Sequence, residues 1–186
     1  MSLTIPRLEM EQLEPKLKET LRARVERLGY LGEFFKCTGH SPDVLRHFME
    51  LTEALKKAVP DRITETVALT VAVKTENDYE RNQHERLCVK LGFGHEWVRS
   101  VEMLDPDNQK LLSESERIVQ SYTLAAIKRM GNNCENEFEK VLEVLEVSEA
   151  VGVLMLVGRY LTHAVAVNTL GLAPPKPSIF EEENNV

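Results

Sequence analysis

Apolar residues along this chain recur at steps of three and four almost from end to end, and that period constrains the fold more than any other feature. Residues 11–28 place Leu13, Leu17, Leu21, Val25 and Leu28 on one face of a helix. Gly29 and Gly32 interrupt it. Ser41-Pro42 opens a second helix as capping side chain and first-turn proline, running through Leu45, Phe48 and Leu51 to Val59, where Pro60 ends it. Asp61 is positioned to cap a third helix, and its residues from Ile63 through Val67 to Val71 are apolar nearly all round. A helix of that kind sits at the centre of a core.

The remaining segments follow the same rule. A fourth helix is expected over 79–91 with Gly92 after it, and a short one over 97–104 before Asp105-Pro106. Ser113 and Glu116 form a capping box that opens a helix through Ile118, Tyr122 and Ala125, stopping at Gly131. Helices over 135–145 and 149–170 follow, the latter capped by Ser148 and closed by Gly171. No segment alternates with period two as a strand would. The expected fold is all-α, an orthogonal multi-helix bundle, with one domain over residues 1–172. Residues 173–186 combine prolines with Glu181-Glu182-Glu183 and read as an extended or disordered acidic tail.

Charge and apolar patterning narrow the function. A net charge of −7 argues against general affinity for nucleic acid or anionic membranes. The most apolar stretch, 150–172, is interrupted by Arg159, His163 and Asn168, so no membrane span is expected. Residues 1–10 carry Pro6, Arg7 and Glu9 where a signal peptide needs apolar residues, so the cytoplasm is the expected compartment. Cys37, Cys88 and Cys134 are too few and too scattered for a disulfide framework. No metal site is expected, because His40 and His47 lack completing ligands, and Gly92-Phe93-Gly94 lacks the lysine of a phosphate loop.

Chemistry concentrates in residues 65–92. Glu65 lies on the very apolar third helix, where an unpaired charge is costly. Glu80 and His84 stand four apart on the next helix and share a side of it, and Cys88 extends that line one turn further. A tight turn between the helices brings Glu65 alongside Glu80 and His84, an acid/base set of two carboxylates and an imidazole. The competing structural reading makes Asn77 the helix cap, Glu80 a first-turn partner and Glu80–His84 a surface pair.

Together these pieces resemble the carboxymuconolactone decarboxylase and alkylhydroperoxidase D (AhpD-like) superfamily. The resemblance spans about 34–172. It rests on Ser41-Pro42-Asp43-Val44-Leu45, Asp61-Arg62 with Glu65, Tyr79-Glu80 with His84-Glu85-Arg86, and Lys90-Leu91-Gly92. Tyr160, His163, Asn168 and Leu170-Gly171 match the last helix. The peroxidase branch carries a Cys-x-x-Cys pair where this chain has Asn77 and Glu80, so dithiol peroxidase chemistry is not expected. Tyr79-Glu80 with His84 is similar to the decarboxylase branch, although Arg81 replaces its usual tryptophan.

The resemblance implies a cofactor-independent enzyme acting by acid/base chemistry on a small organic acid or lactone. In that reading Glu65, Glu80 and His84 are catalytic, and Arg62, Arg81 and His163 bind substrate. Two alternatives stand beside it: a peroxidase-related antioxidant protein using Cys88 or Cys37, and a non-catalytic helical oligomer that binds a small ligand. A homo-oligomer is expected in each case, from the apolar surface of 150–167.

Overall fold

The computed structural model describes residues 5–183, the backbone alone for 182 and 183. Among these residues there are ten α-helices and no strand. They are α1 (Pro15–Leu28), α2 (Glu33–Thr38), α3 (Pro42–Ala58), α4 (Asp61–Lys74), α5 (Asp78–Lys90), α6 (His95–Glu102), α7 (Glu114–Arg129), α8 (Glu135–Val144), α9 (Val147–Leu170) and α10 (Ile179–Glu183). Single 3-10 turns at Met10–Gln12 and Pro106–Asn108 complete the element order.

The all-round apolar helix is the axis of the fold. Every α4 residue from Ile63 to Ala72 is buried, and α4 packs against α5, α6, α7 and α9. Two of its buried threonines return their hydroxyls to the helix backbone, Thr66 to the Arg62 carbonyl at 2.8 Å and Thr70 to the Thr66 carbonyl at 2.6 Å, and Thr64 donates to the Val59 carbonyl before the helix at 3.3 Å. The helix thereby buries polar atoms without leaving them unpaired. The largest core cluster joins Val67 and Val71 to Val119 and Tyr122 of α7, Val141 of α8, and Val153 and Leu156 of α9. A second gathers Leu17 and Leu21 of α1, Phe34 and Phe35 of α2, and Leu45 and Met49 of α3.

Helix ends follow the sequence closely, with instructive exceptions. The Ser113–Glu116 capping box forms as expected, and Glu116 is recruited further by Arg62, whose Nε donates to Oε1 at 2.5 Å. Asn77 caps α5 by accepting from the Glu80 amide at 3.2 Å. Asp61 is the first residue of α4 rather than its cap. Glu146, not Ser148, opens α9, in a box with Glu149. The break at Gly29 and Gly32 forms as expected, and the short helix α2, to which no expectation attaches, follows it.

The tail is the main correction. Residues 173–183 are neither detached nor extended: Ser178 and Ile179 are buried, and Ser178 Oγ and Ile179 N both donate to Glu85 Oε2, at 2.8 and 2.9 Å. Asn82 Nδ2 donates to the Lys176 carbonyl at 2.9 Å. Hydrogen-bonding groups on α5, which local periodicity does not reveal, hold the segment down. Residues 1–4, part of the stretch from which no leader is expected, and 184–186 of the tail lie outside the described residues.

Helix α9 is long and apolar enough to cross a membrane by length and composition, yet 56% of its apolar window is buried inside the fold. It comes close to the end of α3 at Gly152, where a β-carbon would lie 2.4 Å from Val59 Cγ2. Val59 is itself buried and β-branched, so it cannot swing aside. Gly152→Ala is therefore expected to destabilise the protein by roughly 1–3 kcal/mol through overpacking, although alanine is the better helix former by about 1 kcal/mol. Urea denaturation measures it, and an unchanged or raised midpoint would refute the close contact.

Candidate active site

Three helices deliver the polar groups of the site. Helix α4 supplies Glu65, α5 supplies Asn77 at its cap, Glu80, His84 and Cys88, and α9 supplies Arg159, Tyr160 and His163. Helical spacing explains the choice. Residues 80, 84 and 88 stack on one side of α5, and 159, 160 and 163 share one side of α9.

His84 is the hinge of the arrangement. Its Nδ1 lies 2.5 Å from Glu65 Oε2, and its Nε2 lies 3.4 Å from Glu80 Oε1. Burial alone would lower the imidazole pKa, but Glu65 and then Glu80 overcome it and raise the value to about 9. At neutral pH the ring is thus an imidazolium with a proton on each nitrogen. Its edge meets the Tyr160 ring at 5.4 Å between centroids.

Glu80 is held from both sides. Arg159 donates from a terminal guanidinium nitrogen to Oε1 at 2.7 Å, and His163 Nε2 lies 3.3 Å from Oε2. Burial opposes the charge, yet His163, Arg159 and His84 together carry Glu80 well below the usual carboxylate range. Arg159 is fixed in turn by Thr52 Oγ1, 3.1 Å from its Nε, and by the faces of Tyr160 and Phe48. Asn77 Nδ2 approaches His163 Nδ1 at 3.3 Å. An amide N–H can only donate there, so Nδ1 accepts and the proton sits on Nε2, facing Glu80. Burial lowers the His163 pKa to about 4 despite Glu80, and this ring is neutral.

The cluster forms one wall of a cavity of ≈ 270 Å³. Phe34, Tyr79 and Tyr160 give it aromatic sides, while Arg24 and Lys56 face it from α1 and α3. Exposed Arg27, Lys90 and Lys176 stand around its outer part. Among the lining residues Glu80 is the single acid.

Sequence expectations divide cleanly here. Glu65, Glu80 and His84 converge, and His163 joins them. Arg62 and Arg81 do not: neither lines the cavity. Arg62 is drawn to Glu116 and the Trp97 face, and Arg81 pairs with Asp78 at 3.1 Å and Glu85 at 3.3 Å. Both expected substrate-binding arginines therefore lie off this cavity, each engaged by carboxylates elsewhere. Cys37 is buried in the α1–α3 core, away from the cluster, and burial raises its thiol pKa. Cys88 is fully buried behind His84, its Sγ 3.7 Å from Glu65 Oε2, and burial with that carboxylate pushes its pKa strongly upward. Neither cysteine is a cavity residue. Arg159, Asn77, Lys56 and Arg24 were not singled out as site residues. A lone arginine in an apolar helix was the available signal for Arg159.

No family model matches the chain, and no curated protein matches it in sequence. Solved structures do. An uncharacterised peroxidase-related protein with an alkylhydroperoxidase AhpD core from Ralstonia eutropha has a TM-score of 0.80 at 16% identity, over 92% of this chain and 91% of that one. The debrominase Bmp8, in complex with 2,3,4-tribromopyrrole, has a TM-score of 0.79 at 13% identity, over 93% and 92%. An uncharacterised peroxidase-related protein from Silicibacter has a TM-score of 0.77 at 13% identity, over 94% and 93%. The chain has the AhpD-like helical fold.

The two histidines predict a stability profile. Between pH 6.5 and 9 the folded chain keeps a proton on His84 that the unfolded chain has released, so this stabilisation is complete below 6.5 and lost as pH rises through 9. Glu102, which burial and then Glu85 raise to about 8, adds to the alkaline loss. His163 acts oppositely, costing stability as pH falls from 6.5 towards 4. Urea midpoints should fall from pH 6.5 to 9, with the His84 share on the order of 3 kcal/mol. His84→Asn should flatten that limb. A midpoint that rose over this range would contradict the proton assignment.

Proposed function

We propose that this protein is a cofactor-independent enzyme of the carboxymuconolactone decarboxylase-like kind, using proton transfer on a small organic acid or lactone. One observation carries the reading: a buried histidine with both nitrogens facing carboxylates is held as an imidazolium on the wall of a cavity. Such a group is a general acid at neutral pH. Its Nε2 faces Glu80 at the looser distance, 3.4 Å against 2.5 Å for Nδ1 and Glu65, so the Nε2 proton is the one a substrate can take.

The reaction follows from that geometry. Loss of carbon dioxide from a substrate carboxylate leaves the bonding electron pair on carbon, delocalised as an enolate. His84 delivers its Nε2 proton to that carbon and becomes neutral, keeping Nδ1–H on Glu65. Solvent then returns a proton to Nε2. Glu65 is the positioning residue that selects the tautomer. Glu80, fixed by Arg159, stabilises the imidazolium and does not itself carry the proton, since its acidity lies far from neutrality. His163, both nitrogens occupied, orients Glu80. The ring-shaped ligand of the debrominase on this same fold supports a cavity for a small cyclic molecule. The three free cysteines fit a reducing compartment, and the cytoplasm is part of the proposal.

A second reading has one observation in its favour: two structural neighbours are described as peroxidase-related, and Cys88 Sγ touches the same carboxylate as His84. Against it, the thiol is buried and held protonated, and thiolate is the reactive form.

Decarboxylation of a panel of lactone carboxylic acids, followed as carbon dioxide release, tests the first reading. His84→Asn should lower turnover by about 10²–10⁴-fold while circular dichroism stays unchanged. Absence of turnover on every member would overturn the decarboxylase assignment. Peroxide consumption abolished by Cys88→Ser would put the second reading first.

Self-association belongs to the same proposal. Val147, Val151, Leu154 and Met155 form an exposed apolar stripe on the outer side of α9, at the spacing of one helix face. A second copy of the chain is the occupant we assign to it. Light scattering at micromolar concentration should give a multiple of the 21.2 kDa chain mass, and Leu154→Lys should reduce it. A monomer mass for the unmodified protein would refute the assignment.

A further inference from the structure

The charges around the cavity do not cancel, and where the imbalance falls identifies a ligand. In the inner cluster, Glu65 and Glu80 face His84 and Arg159, two negative charges against two positive. His163 adds none. Arg24 is answered by Glu53, its guanidinium 2.6 Å from Oε1. Lys56 alone among the inner lining cations has neither a hydrogen bond nor an ion pair. It is half-buried on α3, where burial and the like charges of Arg24 and Arg159 outweigh the carboxylates Glu65 and Glu53, neither of which pairs with it. An ammonium so placed has lost part of its water without gaining a partner, which is unfavourable unless something anionic joins it.

A second unpaired group belongs to a residue lining the same cavity. Tyr160 is 2% exposed, and its hydroxyl has no hydrogen-bond partner. The hydroxyl lies within the fields of Arg159, Glu65, Glu80 and Arg24, of which Arg159, Glu65 and Arg24 act on Lys56 as well. Buried hydroxyls without partners are rare in folded proteins. A donor O–H and an ammonium, both unanswered and both on one cavity, call for a single acceptor group with negative charge. The rings of Phe34, Tyr79 and Tyr160 itself give the cavity aromatic sides.

We infer that Lys56 and the Tyr160 hydroxyl bind the carboxylate of a small cyclic monocarboxylic acid, whose ring lies among Phe34, Tyr79 and Tyr160. The inference rests on reading the cavity as the substrate site, and it names groups the acid/base cluster does not use. One uncompensated inner cation matches one carboxylate. The exposed Arg27, Lys90 and Lys176 draw anions towards the opening of a chain whose overall charge is −7. Burial lowers the Lys56 pKa, so carboxylate affinity should also decline as pH rises and the ammonium is lost.

Benzoate and its uncharged isostere benzamide test this by calorimetric titration. Benzoate should bind the unmodified protein more tightly than benzamide. Lys56→Met, which keeps the aliphatic stem, should weaken benzoate by about tenfold or more and leave benzamide unchanged, whereas Lys56→Arg should retain most of the affinity. Tyr160→Phe should weaken benzoate by roughly threefold or more without loss of stability, since it removes a hydroxyl that has no partner. Equal affinity for the two probes, benzoate binding indifferent to Lys56→Met, or no saturable benzoate binding up to about 10 mM would each overturn the inference. The binding readout separates it from catalysis. Lys56-dependent binding without any decarboxylation would sink the proposed reaction alone, and His84-dependent turnover with Lys56-independent binding would sink this inference alone.

Discussion

The pairing of Glu80 with Arg159 is the interaction on which the rest of the site depends. It joins α5 to α9 across the interior, between side chains that are almost wholly shielded from water. Removing two charges from water costs several kcal/mol each, and their mutual attraction offsets that only with good geometry and further hydrogen bonds. The structure supplies these. Arg159 spends its remaining capacity on Thr52 and two aromatic faces, and Glu80 receives the two histidines. Were Glu80 alone with His84, burial would favour the neutral forms of both. Arg159 keeps the carboxylate charged, and the charged carboxylate, with Glu65, keeps His84 protonated.

The same logic separates two histidines that a composition count treats alike. Both face Glu80, yet one is held near 9 and the other near 4. Burial lowers both, and at His163 the nearby Arg159 adds to it, while at His84 a second carboxylate overcomes it; the far nitrogens show the contrast. His84 Nδ1 meets the carboxylate Glu65, which rewards a proton there, whereas His163 Nδ1 meets the Asn77 amide, which can only donate and so forbids one. A second carboxylate makes an acid, and an amide in its place makes a neutral strut. Asn77 therefore does two jobs at the start of α5: its oxygen caps the helix and its nitrogen fixes a tautomer.

What the sequence made legible was local. Spacing of three and four located α3, α4, α5 and α7, and the Ser113–Glu116 box set the start of α7 because a capping box is a contact between near neighbours. Glu65, Glu80 and His84 were legible for the same reason: an i, i+4 pair and a charge on an all-apolar helix one turn away. Partners distant in sequence were not. For Arg62 the sequence leaves a substrate carboxylate and an ion pair equally open, and the partner that decides it, Glu116, lies 54 residues away. Arg159 finds Glu80 across 79 residues, and Lys56 acquires meaning only when α1, α3 and α9 enclose it. The tail was misread because its composition is that of a solvated segment, whereas the groups that order it belong to α5.

Helix α5 carries both of those outcomes, and its phase explains why they do not interfere. Residues 80, 84 and 88 project towards α4 and α9, where Glu65 and Arg159 wait. Asn82 and Glu85, about 160° and 100° round the helix from His84 at 3.6 residues per turn, face the C-terminal segment instead. There Glu85 is completely buried and accepts from Ser178 and Ile179, while Arg81 approaches from one turn earlier. Glu102 shares that neighbourhood and is held in its protonated range by burial and by Glu85, so the second carboxyl enters as a donor rather than a like charge. Arg86, between the two sides, donates to the Pro177 carbonyl and also lines the cavity. The segment so held places Lys176 at the cavity's outer part. Docking of the C-terminal segment and the cation it brings to the cavity thus rest on one helix: Asn82 and Arg86 hold the carbonyls of Lys176 and Pro177, and Glu85 anchors Ser178 and Ile179 beyond them.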